Sequence, residues 1–187
     1  MKELVRQKLK ESADVKLKMD EEKIVDIANV IIEAYKKGKK VVLFGNGGSA
    51  ADAQHIAAEL VGKYKMVRDP LPAIALTTNT SILTACANDY GYETVFAKQV
   101  QALVEQGDVV IGISTSGTSP NVLEGIKTAK KKGAIAIGFS GEEGSELGKV
   151  VDICLAVPSK DTPRIQESHI TAGHIICFLV EKEIFGG

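Results

Sequence analysis

The sequence predicts an α/β fold: a five-stranded parallel sheet flanked by helices. Two observations predict it. Short apolar runs recur at residues 40–44, 72–76, 108–114, 134–139 and 153–157, and stretches with helical apolar spacing separate most of them. Apolar strands alternating with helices imply βαβ units, in which a parallel sheet is covered on both faces.

Taken in order, a helix fills much of residues 2–18, although its apolar stripe is ragged. Ile24, Ile27, Ala28, Ile31, Ile32 and Tyr35 follow the i, i+3, i+4, i+7 spacing of an amphipathic helix, with Asp20 as N-cap and Gly38 as stop. The strand Lys40–Phe44 runs into Gly45-Asn46-Gly47-Gly48-Ser49, and a helix follows from about Ala50 to Val61. After the run at Pro72–Leu76 come helices near Ser81–Asn88 and Glu93–Glu105. The strand Asp108–Ser114 ends in a Ser/Thr/Gly loop, then a helix at Pro120–Lys132, strands at Ala134–Phe139 and Ile153–Val157, and a last helix from Pro163 to about Ile184. No repeat or linker interrupts the chain, which reads as one domain with an N-terminal helical segment (1–38) and an α/β core (39–187).

Bulk properties exclude several classes. With 44% hydrophobic and 25% charged residues the chain can bury an ordinary core. A formal net charge of -1 supplies no broad positive field for nucleic acid. No apolar run approaches the ~20 residues of a membrane span, and the N-terminus lacks the apolar segment of a signal peptide. Cys86, Cys154 and Cys177 are an odd set without C-x-x-C spacing, which points to reduced core thiols and a cytoplasmic location.

Ligands in parallel sheets bind beyond the carboxyl ends of the strands, and two polar loops lie at such ends. In the first, Gly45–Ser49, small residues let the backbone approach an anion, and the following helix N-terminus offers free N–H groups. Gly45 to Ala50 also satisfies G-x-G-x-x-A, but the acidic residue a dinucleotide fold needs ~20 positions on is missing from the strand ending Leu76-Thr77-Thr78. A tight turn needing glycines for geometry alone is the third reading. The second loop, Ser114-Thr115-Ser116-Gly117-Thr118-Ser119-Pro120-Asn121, places five hydroxyls in six residues around one glycine, just before a helix with Pro120 near its start. Hydroxyls and backbone N–H groups can wrap a phosphate without Lys or Arg; the plainer reading is a hydrophilic turn with a serine cap.

His55 and Glu59, spaced i, i+4, share one helix face. They can share a divalent metal, act as a base with its orienting neighbour, or form an ordinary solvated pair. The last helix carries Gln166, His169 and His174, and His174 sits in an apolar stretch where a core or interface histidine is the commoner case. Gln166 and His174 are ~12 Å apart along an ideal helix. Convergence on one metal would stretch both side chains or draw ligands from two subunits, which favours a site at a subunit interface.

The segments Gly45–Leu60, Leu76–Leu83, Asn88-Asp89-Tyr90-Gly91, Ile113–Gly117 and Arg164–His169 together resemble the phosphoheptose isomerases of the sugar isomerase (SIS) family, in order and over nearly the whole chain. The resemblance implies a SIS fold and a homotetramer with active sites at subunit interfaces. It also implies interconversion of sedoheptulose 7-phosphate with D-glycero-D-manno-heptose 7-phosphate through an enediol, the first step toward activated heptose precursors. It implies a Zn2+ ion per subunit on His55, Glu59, Gln166 and His174, with Glu59 as base and His174 as acid or proton shuttle. Substrate contacts then fall on Asn46, Gly47, Gly48, Asn88, Asp89, Ser114, Thr115, Ser116 and Ser119, with Glu59 and Gln166 also facing substrate and Ser49 a further candidate by position. Asn79 and Thr118 depart from the aspartate and asparagine common in relatives. A second branch, the replication-initiator-associating proteins, binds a partner protein and is similar in both loops and in Arg-Ile-Gln-Glu. It typically lacks the glutamate and the last histidine, which are present here as Glu59 and His174.

Overall fold

The computed structural model describes residues 1–142 and 145–186. Helices α1 (Lys2–Lys16) and α2 (Glu21–Lys36) lead into β1 (Val41–Gly45) and α3 (Gly48–Val61). Then come β2 (Ala73–Ala75), α4 (Thr80–Tyr90), a 3-10 turn at Tyr92–Thr94, and α5 (Val95–Leu103). The chain continues through β3 (Val109–Ser114), α6 (Pro120–Lys131), β4 (Ile135–Ser140), α7 (Glu146–Val150), β5 (Ile153–Ala156) and α8 (Thr162–Phe185).

All strand pairs are parallel, in the order β2-β1-β3-β4-β5. Strand side chains alternate between faces, so the apolar runs divide into two cores. Val41, Leu43, Ile111 and Ile137 pack under α2, α3 and α8 through Ile27, Ile31, Ile56, Leu60, Ile176 and Val180. Val42, Phe44, Val110 and Ala136 pack under α5, α6 and α7, where Phe44 stacks on Phe96 with centroids 4.9 Å apart. Removing such a fully buried ring costs about 3–5 kcal/mol.

The expected boundaries hold at α2, where the Asp20 carboxylate accepts from Lys23 N at 3.0 Å. Elsewhere they shift. α3 begins at Gly48, two residues earlier than expected, because Gly47 and not a side chain sits at its N-cap. Residues 93 and 94 belong to the 3-10 turn, so α5 starts at Val95. α7 was not expected; it is five residues long, capped by Ser145 and anchored by Leu147. The ragged stripe of α1 has its counterpart in the fold: none of its residues is buried, and Leu4, Val5 and Leu9 are exposed. Among the described residues no helix is long and apolar enough to cross a membrane, and no disulfide joins the cysteines.

The topology fixes where a ligand would sit. The strand order reverses between β1 and β3, and the crevice outside the carboxyl ends at such a switch point is the usual ligand position. Both polar loops emerge there.

Candidate active site

The first loop leaves β1 through Asn46 and turns at Gly47, whose φ of +55° with ψ of -121° is a conformation that L side chains avoid. Gly48 leaves room for α8: a Cβ there would fall on the side-chain amide of Gln166, which would have to move aside. No side chain caps the first turn of α3. In α6 Pro120 has no N–H, Asn121 Oδ1 accepts from Val122 N at 3.0 Å and the Ser119 carbonyl accepts from Leu123 N at 3.0 Å, so it is the N-terminus of α3 that leaves N–H groups for a ligand.

In the second loop the hydroxyls form a chain. Ser114 Oγ lies 2.9 Å from Ser119 Oγ and 3.4 Å from Ser116 Oγ, and it accepts from Gly117 N at 3.1 Å. Ser116 Oγ accepts from Thr118 N and Oγ1 at 3.2 and 3.0 Å, so Thr118 supports the loop. Thr115, Ser116, Ser145, Ser159, Lys160 and Thr162 line much of a cleft of about 420 Å³ on this side. A second cleft of about 510 Å³ touches Asn46, Tyr92, Ser119 and Asn121.

The two loops are bonded to each other. Asn46 Nδ2 donates to Asn121 Oδ1 at 2.9 Å, and Asn121 Nδ2 donates back to Asn46 Oδ1 at 2.8 Å. Tyr92 OH reaches Asn46 Oδ1 at 3.4 Å. Asn121, buried on α6, is part of the loop read from the sequence but has no role assigned there. Its partner lies 75 positions away, and the one local signal was a carboxamide placed directly after the N-terminal proline of a helix.

Two turns along α3 from Gly48 is a second group. His55 Nε2 is 3.1 Å from Glu59 Oε1 and 3.3 Å from His174 Nε2. Ligand atoms of all three residues lie within 4.8 Å of one another. An ion with bonds of about 2.1 Å in tetrahedral geometry sets its ligand atoms about 3.4 Å apart, so this cluster fits a divalent metal. His174 arrives here because α8 lies beside α3 and runs the same way: Gln166 meets Gly48, and Gly173 meets Ile56. Gln166 is therefore at the loop end and not among the three. Ser49 is buried in the first turn of α3. Asn88 and Asp89 end α4, exposed and bonded to each other at 2.8 Å; among the described residues neither side chain bonds to the loops. His169, buried on α8, donates from Nε2 to the Ser140 carbonyl at 2.9 Å, and burial pushes its pKa down to about 4. It is a neutral tie between α8 and the end of β4.

The SIS domain family model matches residues 6–141. A phosphoheptose isomerase from Aquifex aeolicus is 57% identical over 187 residues, spanning 98% of either chain. The chain belongs to the phosphoheptose isomerase family of SIS domains. The solved phosphoheptose isomerase of Neisseria gonorrhoeae superposes with a TM-score of 0.91 at 41% identity, covering 97% of this chain and 98% of that one. That of Francisella tularensis gives a TM-score of 0.92 at 33% identity, over 96% and 97%. A phosphoheptose isomerase needs a grip on phosphate and a group that moves protons. Here the switch-point loops, which lead into α3 and α6, lie apart from the His55–Glu59–His174 cluster on the α3–α8 pair.

Proposed function

We propose that this protein interconverts sedoheptulose 7-phosphate and D-glycero-D-manno-heptose 7-phosphate, acting as one SIS domain on the path to activated heptose precursors. The observation that carries the reading is the convergence of Glu59 and His174, 115 positions apart in sequence, beside His55 and two helical turns from a loop suited to phosphate.

Ser114, Thr115, Ser116 and Ser119, with the open N–H groups of α3, bind the phosphate. Lys160 adds the cation that the loops lack. Asn46, Gly47, Gly48, Ser49, Asn88, Asp89 and Gln166 orient the sugar, so that binding energy at the far end aligns the reacting carbons. Glu59 takes the proton from C1 of the ketose, giving the enediol, and returns it to C2. His174 delivers a proton to O2 and accepts the one leaving O1, so the balance is a proton shift with no outside redox partner. His55, Glu59 and His174 would hold a zinc ion, which when bound supplies Lewis acidity at the substrate carbonyl, while Gln166 stays at the loop end against Gly48.

The protein works in the cytoplasm as a homotetramer whose subunit interfaces complete the active sites. The exposed flank of His55, the bare apolar residues of α1, and the separation of Asn88 and Asp89 from the loops support that assembly. Purified protein incubated with sedoheptulose 7-phosphate should yield the aldose, lose activity with a chelator and regain it with Zn2+. Metal-replete protein that leaves the ketose unchanged would sink the proposal.

A further inference from the structure

The segment after α3 holds a buried ion pair that the isomerisation above does not use. Arg68 and Glu181 face each other at 3.1 Å, each side chain 2% exposed. The Glu181 carboxylate also accepts from Tyr64 N, Lys65 N and Met66 N at 3.0, 2.8 and 3.0 Å. Burial pushes its pKa up, but those N–H groups and the Arg68 guanidinium win and hold it below the usual glutamate value. The other guanidinium nitrogens donate to the carbonyls of Leu60 and Asp69 at 2.8 and 2.9 Å and of Glu59 at 2.8 Å.

Two buried charges bring little net stability unless their remaining hydrogen bonds are met, and apolar residues of similar volume often serve the core as well. The partners of this pair show what it does besides. Leu60 and Glu59 carbonyls belong to the last turn of α3, whose acceptors have no helical partner. Glu181 is seven residues past His174, hence on the same face of α8 and about 10 Å along it. The pair thus ties the end of the helix bearing Glu59 to the helix bearing His174. The same backbone bonds place Tyr64 so that its ring lies against His174, centroids 5.8 Å apart.

We propose that Arg68 and Glu181 are positioning residues that set the spacing of His55, Glu59 and His174, and that they act on turnover and metal affinity more than on substrate binding. The inference rests on the isomerase reading. Arg68→Lys keeps a charge but loses the fork; Arg68→Met with Glu181→Gln removes both charges together and so avoids an unpaired buried ion. For each, kcat and KM for sedoheptulose 7-phosphate are measured at 20 °C, with Co2+ affinity of the metal-free protein followed by visible absorption. The expected result is a fall of about ten-fold or more in kcat and in Co2+ affinity, with KM within about three-fold because the phosphate loops lie at the other end of α3. Folded variants that melt lower yet keep kcat and Co2+ affinity within two-fold of wild type overturn the positioning role alone. Wild-type protein that neither isomerises the sugar nor binds Co2+ overturns the isomerase reading and the clamp with it.

Discussion

Asn121→Asp tests the coupling of the two loops with a change of almost no volume. The side chain of Asn121 is buried at 3% exposure and makes three bonds. Its Oδ1 accepts from Asn46 Nδ2 at 2.9 Å and from Val122 N at 3.0 Å, while its Nδ2 donates to Asn46 Oδ1 at 2.8 Å. Aspartate can keep the first two. In place of the third it sets an oxygen against the Asn46 oxygen, so one bond is lost and a buried acceptor is orphaned, at a cost of about 2–3 kcal/mol. The N-terminus of α6 opposes this by favouring the new negative charge, by about 0.3–1 kcal/mol. The loss is larger, so the variant should be about 1–2 kcal/mol less stable at pH 7. The Asn46 carboxamide should rotate out of its place at the switch point, and kcat/KM should fall about ten- to hundred-fold, equivalent to about 1.4–2.7 kcal/mol of transition-state binding. Urea denaturation reads the first effect and steady-state isomerase kinetics the second. A stability difference under about 0.5 kcal/mol, with unchanged kcat/KM, would refute the claim that this amide pair holds the loops in register.

Glu59→Gln should abolish turnover while leaving thermal melting and sugar-phosphate binding near wild type; near-normal activity would remove Glu59 from the base role. Gly48→Ala should displace the flexible end of Gln166 without disturbing the fold, lowering kcat/KM by about ten-fold or more while melting and circular dichroism stay unchanged. Acid should destabilise the protein through Asp108 and Glu181. Burial pushes the Asp108 carboxyl up, but Lys40 at 2.7 Å and the N–H groups of Glu105 and Lys40 hold it below its ordinary value. Because the folded pKa values are depressed, this stability is present above the unfolded values of about 3.9 and 4.3 and is lost as pH falls through the lower folded values. Asp108→Asn should cost about 1–3 kcal/mol at pH 7 and flatten the urea midpoint between neutral and acid pH; an unchanged acid limb would exclude Asp108 as a cause.

The fold was legible because each strand is an apolar run with its own turn signal, and burial on both faces is what such runs require. The short helix α7 was not, since five residues with one buried leucine carry no period to detect. Single-chain spacing found His55 with Glu59, because four positions on a helix are neighbours, and it picked out both loops by composition. It could not supply the roles of Asn121 or Arg68, which come from partners 75 and 113 positions away. Glu181 left one trace, a carboxylate among apolar residues seven positions after His174. The eight-residue gap between Gln166 and His174 looked like strain on a shared metal. The structure instead places Gln166 over Gly48 and His174 beside His55.

That placement changes what the gap means. α3 and α8 run in the same direction with Gly48 facing Gln166 and Ile56 facing Gly173, so the seven positions from Gly48 to His55 match the eight from Gln166 to His174. Each helix contributes to both ends: α3 gives Gly48 to the loop end and His55 with Glu59 to the cluster, and α8 gives Gln166 and His174. Positive helix ends favour an anion, which assigns phosphate to the loop end; imidazoles and a carboxylate two turns on suit proton transfer. The loop end is built from backbone geometry, hydroxyls and the Asn46–Asn121 bond, none of which depends on Glu59 or His174. If Glu59 and His174 act as proposed, a chain that kept the loops and lost those two side chains should still grip a sugar phosphate but no longer move its protons. On the proposed mechanism, binding and chemistry are therefore separable on this scaffold, and Glu59 and His174 within reach of His55 would be what makes it an isomerase and not only a sensor of sugar phosphate.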